Sequence, residues 1–120
     1  MYYSLFGAFR HDVFSDEVVP LIIWLQGGPG SGSQFGAFTE IGPIRIKDGK
    51  PYLFEYPWNS FGNLLFIDSP LNAGFSKNGD RHGKTQVSYT TTATNHLLNF
   101  LVNFYNEFPK LKKAPLYIAG

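Results

Sequence analysis

The sequence contains no cysteine, so a disulfide framework, a thiolate metal site and a cysteine nucleophile are all excluded. No apolar run approaches the length that a membrane-spanning helix needs. Neither sign of charge dominates, because ten Lys and Arg against nine Asp and Glu leave a net charge of +1. The sequence therefore predicts neither a nucleic-acid nor a membrane partner. What is present, 43% apolar and 16% charged residues, is the balance of a globular protein.

Apolar runs indicate several strands. The continuous runs at 18–25 and 63–67 are typical of strands covered on both faces. In the first run, the hydrogen-bonded part of the strand is predicted to begin just after Pro20. A further strand is predicted over 2–9. An Asp48-Gly49 pair between two apolar pieces indicates a hairpin.

Helical spacing follows the second buried run. Apolar residues from 97 to 108 recur with a helical period, which predicts a long helix that is capped by Thr90 or Thr91 and stops before Pro109. A short helix is predicted over 34–40. The final run at 115–120 reads as another strand, so the strand–helix–strand order predicts parallel pairing through a right-handed crossover.

A glycine-rich loop, GGPGSG at 27–32, follows the first buried run. Such a loop can hold a phosphate, offer N–H groups to an oxyanion, or form a tight turn. A phosphate-binding loop needs a lysine after its last glycine, whereas Ser33 and Gln34 follow here, and Pro29 removes one N–H group. The dinucleotide-binding pattern Gly-x-Gly-x-x-Gly is not completed, and an ordinary turn does not need so many glycines.

Four motifs resemble those of a known family. Residues 24–33 read WLQGGPGSGS and lead to FTEIGP at 38–43, which is similar to W-L-N-G-G-P-G-C-S-S followed by F-x-E-x-G-P. YPWN resembles P-x-S-W-N, and LFIDSP followed by GFS resembles F-I-D-Q-P and G-F-S. PLYIAG looks like the strand that leads into a G-E-S-Y-A-G nucleophile elbow. In this order the motifs resemble the serine carboxypeptidase family of α/β-hydrolases.

The resemblance implies a fold and an activity. We expect an α/β protein, a partial α/β-hydrolase fold whose central sheet is mostly parallel with an amino-terminal antiparallel part. Residues 1–120 would be the amino-terminal part of a single incomplete domain, with the catalytic triad beyond Gly120. The implied enzyme is a serine-type carboxypeptidase, a peptide hydrolase that releases C-terminal amino acids through an acyl-enzyme. The 120 residues alone are then expected to be inactive.

The resemblance also implies site residues. Gly28 matches the glycine whose N–H binds the tetrahedral oxyanion, where the absence of a side chain allows close approach. Gln26, with Gly27 beside it, matches the asparagine that holds the substrate's α-carboxylate and is one methylene longer. Glu40 matches a glutamate that shares a proton in the carboxylate-recognition network, which implies activity at acidic pH. The alternative for Glu40 is a solvated acid at a helix end.

Further positions match less directly. Phe35 and Thr39 fall where the family lines the pocket for the leaving residue. Ser31 stands in place of the family cysteine, so the disulfide that anchors the loop cannot form. Asp68 is interpreted as a structural residue at a strand end rather than as a catalytic acid.

The predicted partner is a peptide or protein with a free C-terminal carboxylate, and neither a cofactor nor a metal is predicted. The compartment is undetermined by the sequence, although the resemblance implies a vacuole, a lysosome or secretion. Two other functions stay open: a non-catalytic relative that binds peptide C-termini, and a nucleotide-binding α/β module.

Overall fold

A computed structural model describes residues 1–12, 16–79 and 87–120. Its strands and α-helices follow in the order β1 (Tyr3–Phe6), β2 (Leu21–Trp24), α1 (Gln34–Thr39), β3 (Ile44–Lys47), β4 (Lys50–Leu53), β5 (Asn63–Ile67), α2 (Thr90–Glu107) and β6 (Leu116–Ala119). Short 3-10 turns occupy Trp58–Ser60 and Pro109–Lys113. Within the described ranges, no helix combines the length and the apolar character needed to cross a membrane.

Four strands form the central sheet in the order β1-β5-β2-β6. β2 pairs in parallel with both β5 and β6, whereas β1 pairs antiparallel with β5. Ile23 of β2 therefore lies opposite Leu65 on one side and Ile118 on the other. This mostly parallel sheet with an antiparallel amino-terminal strand confirms the predicted fold class.

The core lies on both faces of the sheet, and β5 contributes to both. Leu65 and Ile67 belong to the cluster that packs against α2, whereas Leu64 and Phe66 belong to the cluster that contacts Ala37 of α1. Alternate residues of a strand point to opposite faces, so covering both faces requires apolar residues at successive positions. Each fully buried side chain of this kind stabilises the fold by about 1.5–3 kcal/mol.

The predicted hairpin is present as a separate two-stranded sheet of β3 and β4. Asp48 and Gly49 join its strands with positive φ values of 51° and 73°. Two successive residues with positive φ give the turn a twist that matches the flanking strands. An Asp-Gly pair adopts this conformation readily, which is why it predicts a hairpin.

Three details differ from the sequence-based expectations. β1 ends at Phe6 rather than at residue 9, because beyond it the Ala8 N–H turns to the Asn63 side chain, 3.0 Å away. α2 begins at Thr90 itself after an extended Tyr89, with no side-chain cap bond, so neither predicted threonine caps it. β5 and β6 are parallel as expected but do not pair with each other, because β2 lies between them.

Candidate active site

The glycine loop, residues 27–32, begins where the parallel strands end. The Leu25 N–H, one residue past β2, donates to Ala119 O at 2.9 Å. A Cβ built on Gly120 would lie 2.1 Å from Leu25 O. The carboxyl end of β6 therefore lies against the start of the loop, in the region where α/β sheets usually bind ligands.

The loop exposes the backbone that the sequence assigned to the oxyanion. Residues 27–31 are all exposed, and Gly28 and Gly30 have φ values of 133° and 115°. These values favour glycine, since L side chains rarely adopt them. Between the residues that the structure describes, no backbone hydrogen bond uses the Gly28 N–H as donor. The amide of an exposed residue suits an oxyanion donor, and the role of Gly28 stays a prediction.

Gln26, half-buried between β2 and the loop, has its side-chain amide oriented by a neighbour. The Trp24 indole Nε1 donates to Gln26 Oε1 at 2.8 Å. Because an indole N–H can only donate, the side-chain oxygen of Gln26 must face Trp24. The amide nitrogen Nε2 of Gln26 therefore faces away from the indole. Nε2 lies 3.5 Å from Glu40 Oε1, at the outer limit of a hydrogen bond. An amide donor and a carboxyl group thus stand side by side, which suits a ligand carboxylate when one of the two carboxyl groups is protonated.

A glycine on α1 makes room for this group of side chains. A Cβ on Gly36 would lie 2.6 Å from Trp24 Nε1, 2.7 Å from Gln26 Oε1 and 3.1 Å from Glu40 Oε2. Any larger residue would separate the three polar groups. Sequence reasoning missed both Gly36 and the role of Trp24. Two spacings were available as signals: Gln26 follows Trp24 by two residues, which in extended backbone puts both side chains on one side, and Gly36 precedes Glu40 by about one helical turn.

Phe35 and Thr39 lie four residues apart on α1. The Thr39 hydroxyl donates to Phe35 O at 2.6 Å, so it is occupied by the helix backbone. Phe35 is 59% exposed. Both residues are exposed on the helix that leads to Glu40, and their place in a pocket for the leaving residue stays a prediction.

Asp68, one residue past β5, is fully buried. Its carboxylate accepts the Gln34 N–H at 3.2 Å and the Phe75 N–H at 2.9 Å. These bonds join the end of β5 to the start of α1 and to a later loop. The geometry agrees with the structural interpretation of this residue.

Comparison with known proteins identifies the family. A family model described as serine carboxypeptidase matches residues 1–120. The chain belongs to the serine carboxypeptidase family. It is 43% identical over 122 residues to serine carboxypeptidase S10 family member 1 of Dictyostelium discoideum, covering 98% of the chain and 28% of that relative. It is 37% identical over 118 residues to serine carboxypeptidase-like 36 of Arabidopsis thaliana, covering 97% and 24%.

A solved relative supports the same assignment. The crystal structure of Kex1(Delta)p, a prohormone-processing carboxypeptidase from Saccharomyces cerevisiae, superposes with a TM-score of 0.80 at 38% identity. The match covers 97% of this chain and 25% of that one. As a serine carboxypeptidase sequence, the chain thus spans about a quarter of the length of the relatives it matches.

Proposed function

We propose that the protein carrying this chain is a serine-type carboxypeptidase that releases C-terminal amino acids from peptides or proteins with a free C-terminal carboxylate. The observation that carries the proposal is the pairing of Gln26 Nε2 with Glu40 Oε1 at 3.5 Å, next to the exposed backbone of Gly27 and Gly28. Carboxylate recognition and oxyanion stabilisation would then take place on consecutive residues.

Each group has a distinct part in this proposal. Gln26 Nε2 and the Gly27 N–H donate to the substrate carboxylate, while Glu40 shares a proton with it, which favours binding at acidic pH. The Gly28 N–H donates to the carbonyl oxygen of the scissile bond as it becomes tetrahedral. Removing such a donor lowers the rate of catalysis by roughly 10²- to 10³-fold.

The chemistry of the proposed reaction is acyl transfer. A histidine-activated serine attacks the last peptide carbonyl, the C-terminal amino acid leaves, and water hydrolyses the acyl-enzyme. The leaving amino acid would contact Phe35 and Thr39 on α1. Residues 1–120 contribute binding and oxyanion groups, and we expect this stretch alone to release no amino acid.

The test compares paired peptides that differ only in a free or an amidated C-terminus. The native gene product that carries these residues should release amino acids from the free peptide, with kcat/KM highest at acidic pH. Replacing Gln26 by Leu, or Glu40 by Gln, should reduce the preference for the free carboxyl group about 10- to 100-fold, since hydrogen bonds to charged groups are worth about 1.5–3 kcal/mol.

The matched control is Glu55→Gln, which changes the same chemical group at an exposed site outside the loop and α1. It should keep the preference of the wild type. An unchanged preference in both Gln26→Leu and Glu40→Gln would overturn the assigned binding roles. Tight binding of free-carboxyl peptides without any amino-acid release would instead identify a non-catalytic peptide-binding protein. A rise in melting temperature on addition of ATP and Mg²⁺ would identify a nucleotide-binding protein.

A further inference from the structure

Inside the glycine loop the Ser31 N–H donates to Gly27 O at 3.3 Å, a bond that shapes the turn but does not attach it to the sheet. Residues 27–31 are exposed, and no cysteine is present to tie the loop by a disulfide. Cβ atoms built on Gly27 and Gly30 would meet nothing within 4 Å. A group that stabilises a transition state must nevertheless hold its position to within about 0.5 Å. We therefore expect the attachment of the loop to the sheet at the two ends of the loop.

Ser33 joins those two ends. Its side chain is fully buried, and its hydroxyl oxygen accepts the Gln26 N–H at 3.0 Å while donating to Ile67 O at 2.5 Å. Gln26 immediately precedes the loop and Ser33 immediately follows it. One hydroxyl group thus closes the loop at its base and ties the closed base to the end of β5.

Asp68, the residue that follows β5, holds the same base of the loop. Its buried carboxylate accepts the Gln34 N–H through Oδ1, directly after Ser33. Two glycines shape its site, because a Cβ on Gly32 would lie 3.1 Å from Oδ1 and a Cβ on Gly74 would lie 2.3 Å from Oδ2. The last loop residue therefore packs against this carboxylate.

We propose that the Ser33 hydroxyl and the Asp68 carboxylate form one brace that positions the Gly27 and Gly28 amides relative to the sheet. They are positioning residues, since both are buried beneath the loop. The inference rests on the proposed function for its catalytic consequence, but the brace itself is a property of the fold. Loosening it should misplace the oxyanion donor and lower kcat more than it changes KM.

The first test reads hydrogen exchange at single amides in the native gene product. Ser33→Ala should speed exchange at Gln34 N–H, whose acceptor is Asp68, and Asp68→Asn should speed exchange at Gln26 N–H, whose acceptor is Ser33. We expect each cross effect to be about tenfold, as for the loss of one hydrogen bond. If each variant affects only the amide that its own side chain binds, the two residues are independent and the brace is overturned.

Two controls separate positioning from a general loss of stability. Leu111→Ala opens a cavity in the cluster against α2, at a residue of the Pro109–Lys113 turn, and should lower the melting temperature without selectively freeing Gln26 and Gln34. Ser60→Ala removes another hydroxyl that donates to a backbone carbonyl, that of Pro57, at an exposed position. An exchange pattern in Leu111→Ala that matches the brace variants would also overturn the proposal.

The second test uses peptide hydrolysis. Each brace variant should lower kcat about 10- to 100-fold, less than the full loss of an oxyanion donor, and should raise KM by a smaller factor, because the brace also holds Gln26 and Gly27 of the proposed carboxylate site. The double variant should be no slower than the slower single variant, because coupled residues are not additive. Additive losses in kcat would count against a single brace. If the gene product hydrolyses no peptide, the proposed function fails, while the exchange experiment still decides the brace.

Discussion

β5 and β6 flank the same strand, have similar apolar sequences, and differ sharply in burial. Leu65 of β5 and Ile118 of β6 both lie opposite Ile23, yet Leu65 is fully buried and Ile118 is 59% exposed. β5 has β1 on its second edge and clusters on both faces, whereas β6 pairs with β2 alone among the described strands. An apolar run therefore predicts a strand, but its neighbours decide how much that strand contributes to stability.

The largest effect should come from truncating Leu65, the buried one of the two residues opposite Ile23. In the chain of residues 1–120, Leu65→Ala should lower the free energy of unfolding by about 2–5 kcal/mol, because it leaves a cavity in a closed core. Ile118→Ala should cost less than about 1 kcal/mol, as for most exposed positions. Urea unfolding of both variants measures the difference. Equal losses would show that β6 is as well covered as β5 and would remove the contrast.

A smaller effect is expected beyond the end of β5, where Gly74 packs against Asp68. Gly74 and Gly49 both have positive φ values, 52° and 73°, so an alanine at either site should cost about 1–2 kcal/mol in backbone strain. At Gly74 the new Cβ would also lie 2.3 Å from Asp68 Oδ2, whereas at Gly49 it would meet nothing within 4 Å. Gly74→Ala should therefore lower the melting temperature more than Gly49→Ala does. The reverse order would contradict the close packing described at Asp68.

The smallest effect should come from the ion pair that links the segments leading into β2 and β6. Lys110 Nζ lies 2.8 Å from Asp16 Oδ1, with both side chains exposed. The hydrogen bond from Lys110, and then its charge, hold the pKa of Asp16 below its ordinary value. The contribution to stability is thus present above the unfolded-state pKa and disappears as the pH falls through the lowered pKa.

Asp16→Asn should therefore change the melting temperature only slightly at neutral pH and low salt, and not at all in strong acid or high salt. Thermal unfolding over a pH and salt series measures this. A large loss that persists in high salt would mean that the β6 side is held more firmly than its exposure indicates.

Local patterns predicted much of the fold. The buried strands β2 and β5, the Asp48-Gly49 hairpin, the short α1 and the end of α2 before Pro109 all follow from residues near one another in the chain. The helix cap was wrong, because the backbone at Tyr89 is extended and the threonines after it are already helical. The site residues Gln26 and Glu40 came from the resemblance, and the structure brings their side chains together.

Contacts between distant residues were not predictable in this way. Ser33 and Ile67 are 34 residues apart, and only the placement of β5 beside β2 makes their hydrogen bond possible. The same holds for Gly36, whose missing side chain matters only because α1 lies against Trp24 and Gln26.

The sequence by itself determined which segments become strands and helices, where glycine must stand in the loop, and to which family the chain belongs, because these depend on local conformation and on residue identity. Tertiary structure alone decided that β2 lies between β5 and β6, that Trp24 orients the Gln26 amide, and that Ser33 and Asp68 close the base of the loop. Those outcomes require groups far apart in the chain to meet, and their geometry is set by the packing of the sheet.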